Sequence, residues 1–302
     1  MKYNWSIIGH EKQLAQIEND ISSGNLAHAY LLAGPNSVGK NTVARKLAGI
    51  LQCENDFCHS CNACLQVEKG CHVDTVVFED NGESIKIEEV RRIMERLNMT
   101  RQAQYKILLI QSLERMRTEA ANSFLKMLEE PPERTIFIMT TDNVRVILPT
   151  ILSRVRVVKF NSVSNSYLRD KLKQLYPKSE AETIETVSLL SLGKTGKAVH
   201  LMEHPDSLAN YLKTYHDIQN FLAYRSVSER FSYIEEMLED PLRIETFMNI
   251  LTHVLRSKML EPGRQGGGKI YAKALSKIDE AAMLLRQNIN VRLVLENLML
   301  QI

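Results

Sequence analysis

The sequence has little of what marks a membrane-bound or DNA-coating protein. Its 302 residues include one tryptophan, five cysteines and 6% aromatic residues, and lysine and arginine (38) nearly balance aspartate and glutamate (36). No apolar run approaches the ~18 residues that span a bilayer. The formal net charge of +2 argues against a protein that coats DNA or a membrane by itself, because such a surface usually needs a strong basic excess.

A targeting signal is also missing from the first residues. The segment MKYNWSIIGHEKQL does not show the basic-then-apolar layout of a secretory signal. We therefore expect a cytoplasmic protein with no membrane partner, and the length predicts two or three domains. In a reducing compartment, clustered cysteines are metal ligands sooner than disulfide partners.

The first half of the chain alternates short apolar runs with segments of helical periodicity. Continuous, β-branched runs are typical of strands that are covered on both faces of a mostly parallel sheet. Between two of them, Ile87, Val90, Ile93 and Leu97 fall at helical spacing. The pattern predicts an α/β fold, with strands at HAYLLA (28–33), VDTVVF (73–78), YKILLI (105–110), TIFIMT (135–140) and VRVVKF (155–160).

A second helix is predicted between the third and fourth runs. Thr118 is the expected N-cap, and the helix should stop before Pro131 and Pro132, since proline cannot continue it. After Phe160 the strand signal disappears and helical patterns follow.

Three domains are predicted from this organisation. An α/β core covers 1–161, and short helices at 162–206, broken around SLGKTGKA (191–198), form a small second domain. Longer helices at 207–302 form an all-α C-terminal domain, with EPGRQGGGK (261–269) as a loop between two of them.

The most informative stretch is Gly34-Pro-Asn-Ser-Val-Gly39-Lys40-Asn41-Thr42, which follows a predicted strand and opens a predicted helix. A P-loop needs glycines so that backbone N–H groups wrap phosphates, a lysine for the β- and γ-phosphates, and a hydroxyl for Mg²⁺. The glycines and Lys40 fit, but Asn41 holds the hydroxyl position and Thr42 comes one residue too late. The context favours P-loop ancestry over a glycine-rich turn with no ligand, and binding of ATP or ADP stays open.

The acidic residues that hydrolysis requires are missing. In such NTPases a later strand ends with an aspartate that helps to hold Mg²⁺, and a glutamate that activates water often follows it. Here the strand at 105–110 runs into Gln111 and Ser112, and neither side chain is a carboxylate. Glu114 is expected on the next turn, pointing elsewhere. We therefore predict a nucleotide site that binds weakly or not at all and does not turn over.

Four cysteines follow the pattern C-x4-C-x2-C-x2-C: Cys53, Cys58, Cys61 and Cys64. Four thiolates can close a tetrahedral Zn²⁺ site, and the short spacers bend the backbone around the metal. Disulfides and four unrelated thiols are the alternatives. A site with four protein ligands has no open position, so the module at 53–64 is predicted to be structural. Cys71, His59 and His72 are assigned no role.

Five stretches, read in order, carry a family resemblance. They are LAHAYLLAGPNSVGKNT, the four-cysteine insertion, GCHVD, AANSFLKMLEEPP and TTDNVRVILPTILSR. Together they resemble the AAA+ subunits of the bacterial sliding-clamp loader of DNA polymerase III. The resemblance implies a P-loop AAA+ core, a helical lid at 162–206 and a collar domain for oligomerisation at 207–302, and it supports the structural Zn²⁺.

Within that family the chain departs from the ATP-hydrolysing subunits, whose corresponding strand ends in Asp-Glu and whose P-loop carries the hydroxyl. It resembles instead the ring member that is rigid and does not hydrolyse ATP. No intrinsic ATP hydrolysis is therefore expected, and any polymerase activity would be that of the DNA polymerase III holoenzyme. The implied partners are the other subunits of a pentameric ring and, through the assembled complex, the sliding clamp and primer-template DNA.

The resemblance also implies an arginine that acts on a neighbouring subunit. Ser153-Arg154-Val155 corresponds to the family's Ser-Arg-Cys motif, with Val155 in place of the cysteine. The arginine of that motif reaches the next subunit's ATP. A guanidinium suits this role because it is permanently charged and forks onto phosphate oxygens. The alternative is that Arg154, like Arg156, is a solvated charge beside an edge strand.

Two further polar pairs match family positions. Thr140 and Thr141 match the sensor position at the end of the fourth strand, or they are strand-end hydrogen bonders. Lys194 and Lys197 lie where relatives carry a second sensor arginine, although solvated lysines are the simpler interpretation.

Three functions follow from the sequence. The first is a non-hydrolysing clamp-loader subunit that supplies Arg154 as an arginine finger. The second is a self-sufficient AAA+ ATPase motor, against which Gln111 and Ser112 argue. The third is a zinc-dependent nucleic-acid-binding regulator, disfavoured because the cysteine module has no basic stripe around it.

Overall fold

The predicted apolar runs form a five-stranded parallel sheet in a computed structural model that describes residues 2–224, 226–238, 241–260, 267–286 and 289–302. Neighbouring strands are all parallel, in the order β2-β3-β4-β1-β5. The α/β prediction is therefore confirmed. The strands are β1 (Ala29–Ala33), β2 (Thr75–Phe78), β3 (Lys106–Ile110), β4 (Thr135–Thr141) and β5 (Arg156–Lys159).

Side chains of the central strands alternate between two apolar cores, one on each face of the sheet. Leu32 of β1 and Leu109 of β3 belong to one core, while Leu31 and Leu108 belong to the other. This period of two is a property of extended backbone. Both faces are covered, which explains why the strands read as continuous apolar runs.

Helices of the α/β region supply the other side of both cores. The first three contribute buried residues to the core that contains Leu32, and the next two to the core that contains Leu31. The helices are α1 (Glu11–Ser22), α2 (Lys40–Gln52), α3 (Asn62–Glu68), α4 (Ile87–Asn98), α5 (Thr118–Glu129), α6 (Pro149–Leu152), α7 (Asn165–Leu175), α8 (Ala181–Leu190) and α9 (Thr195–Glu203).

The helix at Ile87–Asn98 matches its predicted periodicity, but the start of α5 differs from the prediction. Its N-cap is Arg117, with extended dihedral angles, and Thr118 is the first helical residue. The N–H of Arg117 donates to the carbonyl of Ile85 at 3.1 Å. This contact between distant segments holds Arg117 extended, so the cap is decided by tertiary structure and not by side-chain preference.

The chain divides into two compact units. The first comprises Met1–Ile184 with Gly193–Ala198, and the second comprises Glu185–Leu192 with Val199–Ile302. The break predicted around 191–198 is present between α8 and α9. The predicted boundaries at 1–161, 162–206 and 207–302 stay predictions.

The second unit is helical, as predicted for the C-terminal part. Its longer helices are α10 (Pro205–Tyr224), α11 (Val227–Met237), α12 (Pro241–Leu260), α13 (Gly267–Arg286) and α14 (Val291–Gln301). Helix α12 packs against α10 and α13, and α14 packs against α11 and α13. Residues 261–266 of the predicted loop lie outside the described residues, whereas Gly267, Gly268 and Lys269 already belong to α13. A helix tolerates glycine in its first turn, where the N–H groups have no intrahelical partner.

Among the residues that the structure describes, no helix is both long and apolar enough to cross a membrane.

Candidate functional site

The carboxyl ends of the five parallel strands meet at one edge of the sheet. There β1 lies between β4 and β5 and runs directly into the glycine-rich loop, whose last residues open α2. Ligands of open α/β sheets bind outside the carboxyl ends of the strands. The strand-loop-helix context predicted for Gly34–Thr42 is therefore present.

The two glycines of the loop occupy conformations that require glycine. Gly34 has φ 155° and donates its N–H to the carbonyl of Thr141 at 3.1 Å, and a Cβ at Gly34 would collide with the carbonyl of Phe160. Gly39 has φ 99° and is the N-cap of α2. Both positions explain why the loop needs residues without a side chain.

Lys40, the lysine expected to contact phosphate, is bonded to the protein itself. Its Nζ donates to the carbonyls of Gly34 and Pro35 and to Oδ1 of Asp142, each at 2.8 Å. The residue is only 5% exposed. A lysine ammonium has three N–H donors, so these three acceptors use all of them.

The start of α9 packs directly on the same loop. The hydroxyl of Thr195 donates to the carbonyl of Val38 at 2.9 Å, and the N–H of Lys197 donates to the carbonyl of Ser37 at 3.1 Å. Between them, a Cβ added to Gly196 would lie 2.8 Å from the oxygen of Ser37. The first turn of α9 therefore occupies space directly against the loop, and Lys197 contributes its backbone to this contact.

His10 also contacts the loop. Its Nε2 lies 3.1 Å from the carbonyl of Val38, and its ring packs edge-on against Phe160. Because a carbonyl oxygen only accepts, Nε2 carries the proton. Burial lowers the pKa of His10, which favours the neutral ring.

Asn41 and Thr42, which stand at the expected Mg²⁺ position, lie in the first turn of α2 and are exposed. Together with Phe57 and Val67 they line a cleft of about 290 Å³ between α2 and the cysteine module. Within the part of the chain that the structure describes, Lys40 bonds to Gly34, Pro35 and Asp142 and not to the side chain of Asn41 or Thr42. The departure from the P-loop pattern therefore persists in the fold.

At the end of β3, Gln111 and Ser112 both bind Asp80: Gln111 contacts its backbone N–H, and Ser112 contacts its carboxylate. The hydroxyl of Ser112 donates to Oδ2 of Asp80 at 2.6 Å, and Oε1 of Gln111 accepts from the N–H of Asp80 at 3.3 Å. Arg115 pairs with the other oxygen of Asp80 at 2.8 Å. Burial opposes ionisation of Asp80, but the hydrogen bonds from Ser112 and Gly82 and the Arg115 guanidinium outweigh it and hold the pKa of Asp80 below its ordinary value.

The prediction that Glu114 points elsewhere was wrong. Its Oε1 accepts from the N–H of Asp142 at 3.0 Å, which places it beside the partner of Lys40. The reason is a 3-10 turn, Leu113–Arg115, which follows a left-handed Ser112 (φ 52°) and folds the chain back over the strand ends. Sequence spacing alone does not reveal such a reversal.

Asp142 and Thr195 were not identified from the sequence as site residues. Asp142 follows β4 directly, so its place at the carboxyl edge of the sheet was a usable signal. Thr140 and Thr141 are strand-end hydrogen bonders: the hydroxyl of Thr140 accepts from the N–H of Ser112, and that of Thr141 from the N–H of Asn143, both at 3.2 Å.

The four predicted metal ligands come together in space. The sulfurs of Cys53 and Cys58, and those of Cys53 and Cys61, are 3.8 Å apart, and those of Cys58 and Cys64 are 4.0 Å apart. All four lie within 4.8 Å of one another. A tetrahedron with Zn–S bonds of ~2.3 Å has edges of about 3.8 Å, so the donor set fits Zn²⁺. The separations are far longer than a disulfide bond.

The backbone around the cluster suits thiolates. N–H groups of Asn55, Cys58, Cys61 and Cys64 lie 3.3 to 3.5 Å from cysteine sulfurs. Hydrogen bonds from the Ser60 hydroxyl and from backbone N–H groups lower the pKa of Cys58 to about 5. For Cys58 these bonds favour the charged form that binds a metal, whereas burial raises the pKa of Cys64.

Three residues near the cysteine module stay outside the cluster, as expected. Nδ1 of His59 lies 2.5 Å from Oε1 of Glu68, and Nδ1 of His72 lies 3.1 Å from the hydroxyl of Thr75. Cys71 is exposed. Among the described residues, the group that could hold a metal is the four-cysteine cluster.

Arg154 lies in the turn between α6 and β5, near the amino-terminal end of the sheet's edge strand. Its Nη2 pairs with Oε1 of Glu129 at 2.7 Å, and its side chain is 35% exposed. Arg156, by contrast, pairs with Asp20. Arg154 is thus an ordered, partly exposed cation and not a freely solvated one.

A parallel sheet whose first strand runs into a glycine-rich loop, with a lysine at the start of the next helix, defines an AAA+-like P-loop fold. A family model described as "DNA polymerase III, delta subunit" matches residues 9–164, just over half of the chain. The chain belongs to this family of DNA polymerase III clamp-loader subunits. The predicted resemblance is therefore confirmed at the level of the family.

Curated relatives carry several subunit names. The gamma subunit of DNA polymerase III from Buchnera aphidicola (Acyrthosiphon pisum) is 30% identical over 77% of this chain and 66% of its own length. The tau subunit from Escherichia coli is 26% identical over 77% of this chain and 38% of its own. The delta' subunit from Bacillus subtilis is 32% identical over 51% of this chain and 48% of its own length. The matches thus span less than two thirds of these relatives.

A solved structure shares the fold. A gamma subunit-related protein from Thermotoga maritima aligns over 95% of this chain and 97% of its own, with a TM-score of 0.51 and 20% identity.

Proposed function

We propose that the chain is a delta-prime-type clamp-loader subunit, a ring member that does not hydrolyse ATP. The observation that carries the proposal is the bonding of Lys40. All three of its N–H donors are used by Gly34, Pro35 and Asp142 inside the protein, so a phosphate would have to displace one of these partners. The contact of α9 with the loop and the replacement of acidic residues by Gln111 and Ser112 support the same conclusion.

The subunit would act through the assembled complex. It would join other clamp-loader subunits in a pentameric ring through its C-terminal helices and would help to load the sliding clamp onto primer-template DNA in the cytoplasm. Support comes from the family match and from relatives that are named as subunits of DNA polymerase III. The four-cysteine module would hold a structural Zn²⁺.

Arg154 would serve as an arginine finger in trans. Such fingers contribute about 10³–10⁵ to the rate in other NTPase systems, because they neutralise charge that develops on the transferred phosphoryl group. The partly exposed guanidinium beside an open cavity is compatible with that role.

The proposal is tested with the purified chain and with the reconstituted loader. The isolated chain should show no ATP turnover, and ATP with Mg²⁺ should not raise its melting temperature. A loader that contains Arg154→Ala should assemble normally and lose part of its DNA- and clamp-stimulated ATPase. Unchanged ATPase in that mixture would remove the finger assignment.

A second candidate is an ATPase subunit of the gamma or tau type. It is favoured by the gamma relative that aligns over 77% of the chain and by the retained glycines and Lys40. Turnover by the isolated chain at rates per second would establish this candidate and overturn the first.

A further inference from the structure

Arg154 is held by partners on two neighbouring elements. Its Nη1 donates to the carbonyl of Thr150 at 2.9 Å and to the hydroxyl of Ser153 at 3.1 Å, and its Nη2 pairs with Oε1 of Glu129 at 2.7 Å. A guanidinium has five N–H donors. The N–H on Nε and the second N–H on Nη2 have no partner among the residues that the structure describes.

The backbones that carry this pair are fixed by buried neighbours. Glu129 is the last residue of α5 and follows Leu128, which is 2% exposed. Arg154 follows α6, whose Ile151 is also 2% exposed, and the two helices pack against each other. The distance between the two side chains is therefore set by the core beneath them.

Helix stability does not explain the carboxylate of Glu129. The C-terminal end of a helix carries partial negative charge, so an acidic residue there is unfavourable. The side chain of Glu129 is 50% exposed, and exposed ion pairs contribute little to folding. What Glu129 does contribute is a fixed direction for the guanidinium of Arg154.

The pair borders an open cavity of about 630 Å³. Its lining includes Ala27 and His28 beside β1, together with Glu129, Ser153 and Arg154. A phosphate-bearing group of an adjacent molecule can approach Arg154 through this opening.

We propose that Glu129 is a positioning residue for Arg154: together with Thr150 and Ser153 it holds the guanidinium so that the remaining N–H groups on Nε and Nη2 meet the nucleotide of the adjacent subunit. The inference rests on the proposed role of Arg154 in trans. A free arginine side chain samples many rotamers, and ordering it costs conformational entropy. If the side chain is already fixed in the ground state, this cost does not add to the activation free energy.

The test is a double-mutant cycle in the reconstituted loader, with clamp- and DNA-stimulated ATPase as the readout. Glu129→Ala should lower kcat by about five-fold with little change in KM, because misplacing a group that acts in the transition state lowers the rate of the chemical step. Glu129→Gln keeps the acceptor oxygen and should recover part of the loss. Adding Glu129→Ala to Arg154→Ala should cause no further loss, because the two residues act as one unit.

A matched control separates this role from a structural one. Glu130, the exposed neighbour of Glu129, should be replaceable by alanine with kcat unchanged. The melting temperatures of the isolated Glu129 variants should equal that of the unmodified chain.

The possible failures are distinguishable. If Arg154→Ala leaves the ATPase unchanged, the finger itself is wrong and the inference falls with it. If Arg154→Ala lowers kcat but Glu129→Ala does not, the finger stands and Glu129 is not its positioning residue. An additive loss in the double variant would also overturn the inference, because it means that Glu129 and Arg154 act independently. A higher kcat in Glu129→Ala would overturn it as well, because it means that Glu129 competes with phosphate for Arg154.

Discussion

Lys40 and Asp142 form an ion pair across the carboxyl edge of the sheet, with Nζ 2.8 Å from Oδ1, although they are 102 residues apart in the chain. The lysine side chain is 6% exposed and the aspartate side chain 40% exposed. In a P-loop that binds nucleotide, the corresponding lysine contacts the β- and γ-phosphates. Here it connects the loop after β1 to the segment after β4.

Lys40→Met should therefore destabilise the isolated chain. The substitution removes a buried donor from three acceptors, and we expect the free energy of unfolding to fall by about 2–4 kcal/mol. Urea unfolding measures the loss. Lys126→Met, at an exposed position of α5, should change stability by less than about 0.5 kcal/mol. Equal stabilities of Lys40→Met and the unmodified chain would contradict the structural role.

The contact between α9 and the loop can be tested at Thr195. Its hydroxyl donates to the carbonyl of Val38 and the residue is 2% exposed. Thr195→Val removes the hydrogen bond at nearly constant volume and should cost about 1 kcal/mol, whereas Thr195→Ser keeps the donor and should cost less. Thermal unfolding of the two variants side by side measures the difference. The reverse order of stabilities would count against the contact.

Metal analysis tests the cysteine module. The purified chain should contain one Zn²⁺ per molecule, and Cys64→Ser should lose it, because a structural site needs all four ligands. Removal of the metal by a chelator should lower the free energy of unfolding by several kcal/mol, since metal binding is coupled to folding. Cys71→Ser is the matched control and should keep its zinc. Full zinc content in Cys64→Ser would show that the cluster is not the site.

His10 predicts a pH dependence of stability. Burial lowers its pKa in the folded chain below the ordinary 6.5. Below that pH the unfolded chain binds a proton that the folded chain still excludes, so stability falls as the pH drops through 6.5 and the loss is complete below the folded pKa. Unfolding free energies between about pH 7.5 and about pH 5.5 should show a steeper decline for the unmodified chain than for His10→Gln. If the free energies of unfolding of the two chains change in parallel with pH, His10 does not contribute to the pH dependence of stability.

Restoring an acid at the end of β3 should not restore hydrolysis. Ser112 donates to Asp80 at 2.6 Å, so Ser112→Glu replaces a hydrogen bond with like-charge repulsion. We expect a loss of about 1–2 kcal/mol in stability, a smaller loss for Ser112→Ala, and no ATP turnover in either variant. An active Ser112→Glu chain would show that the missing acid alone prevents hydrolysis.

Much of the α/β region could be predicted from local sequence. Continuous apolar runs mark buried parallel strands, and the period through Ile87, Val90, Ile93 and Leu97 marks α4. The cap of α5 could not be predicted in this way, because a hydrogen bond from Arg117 to Ile85 overrides the preference of Thr118.

In the candidate sites, too, some features could be predicted from local sequence and others could not. The sequence by itself determined the glycines of the loop and the cysteine pattern, because both depend on spacing within a dozen residues. It also determined that carboxylates are missing at residues 111 and 112. Only the tertiary structure decided which carboxylates the side chains pair with, since Asp142, Asp80 and Glu129, the acidic partners of Lys40, Ser112 and Arg154, come from other elements. A contact between residues that lie far apart in the chain exists only after the sheet and helices have packed, and no local pattern encodes it.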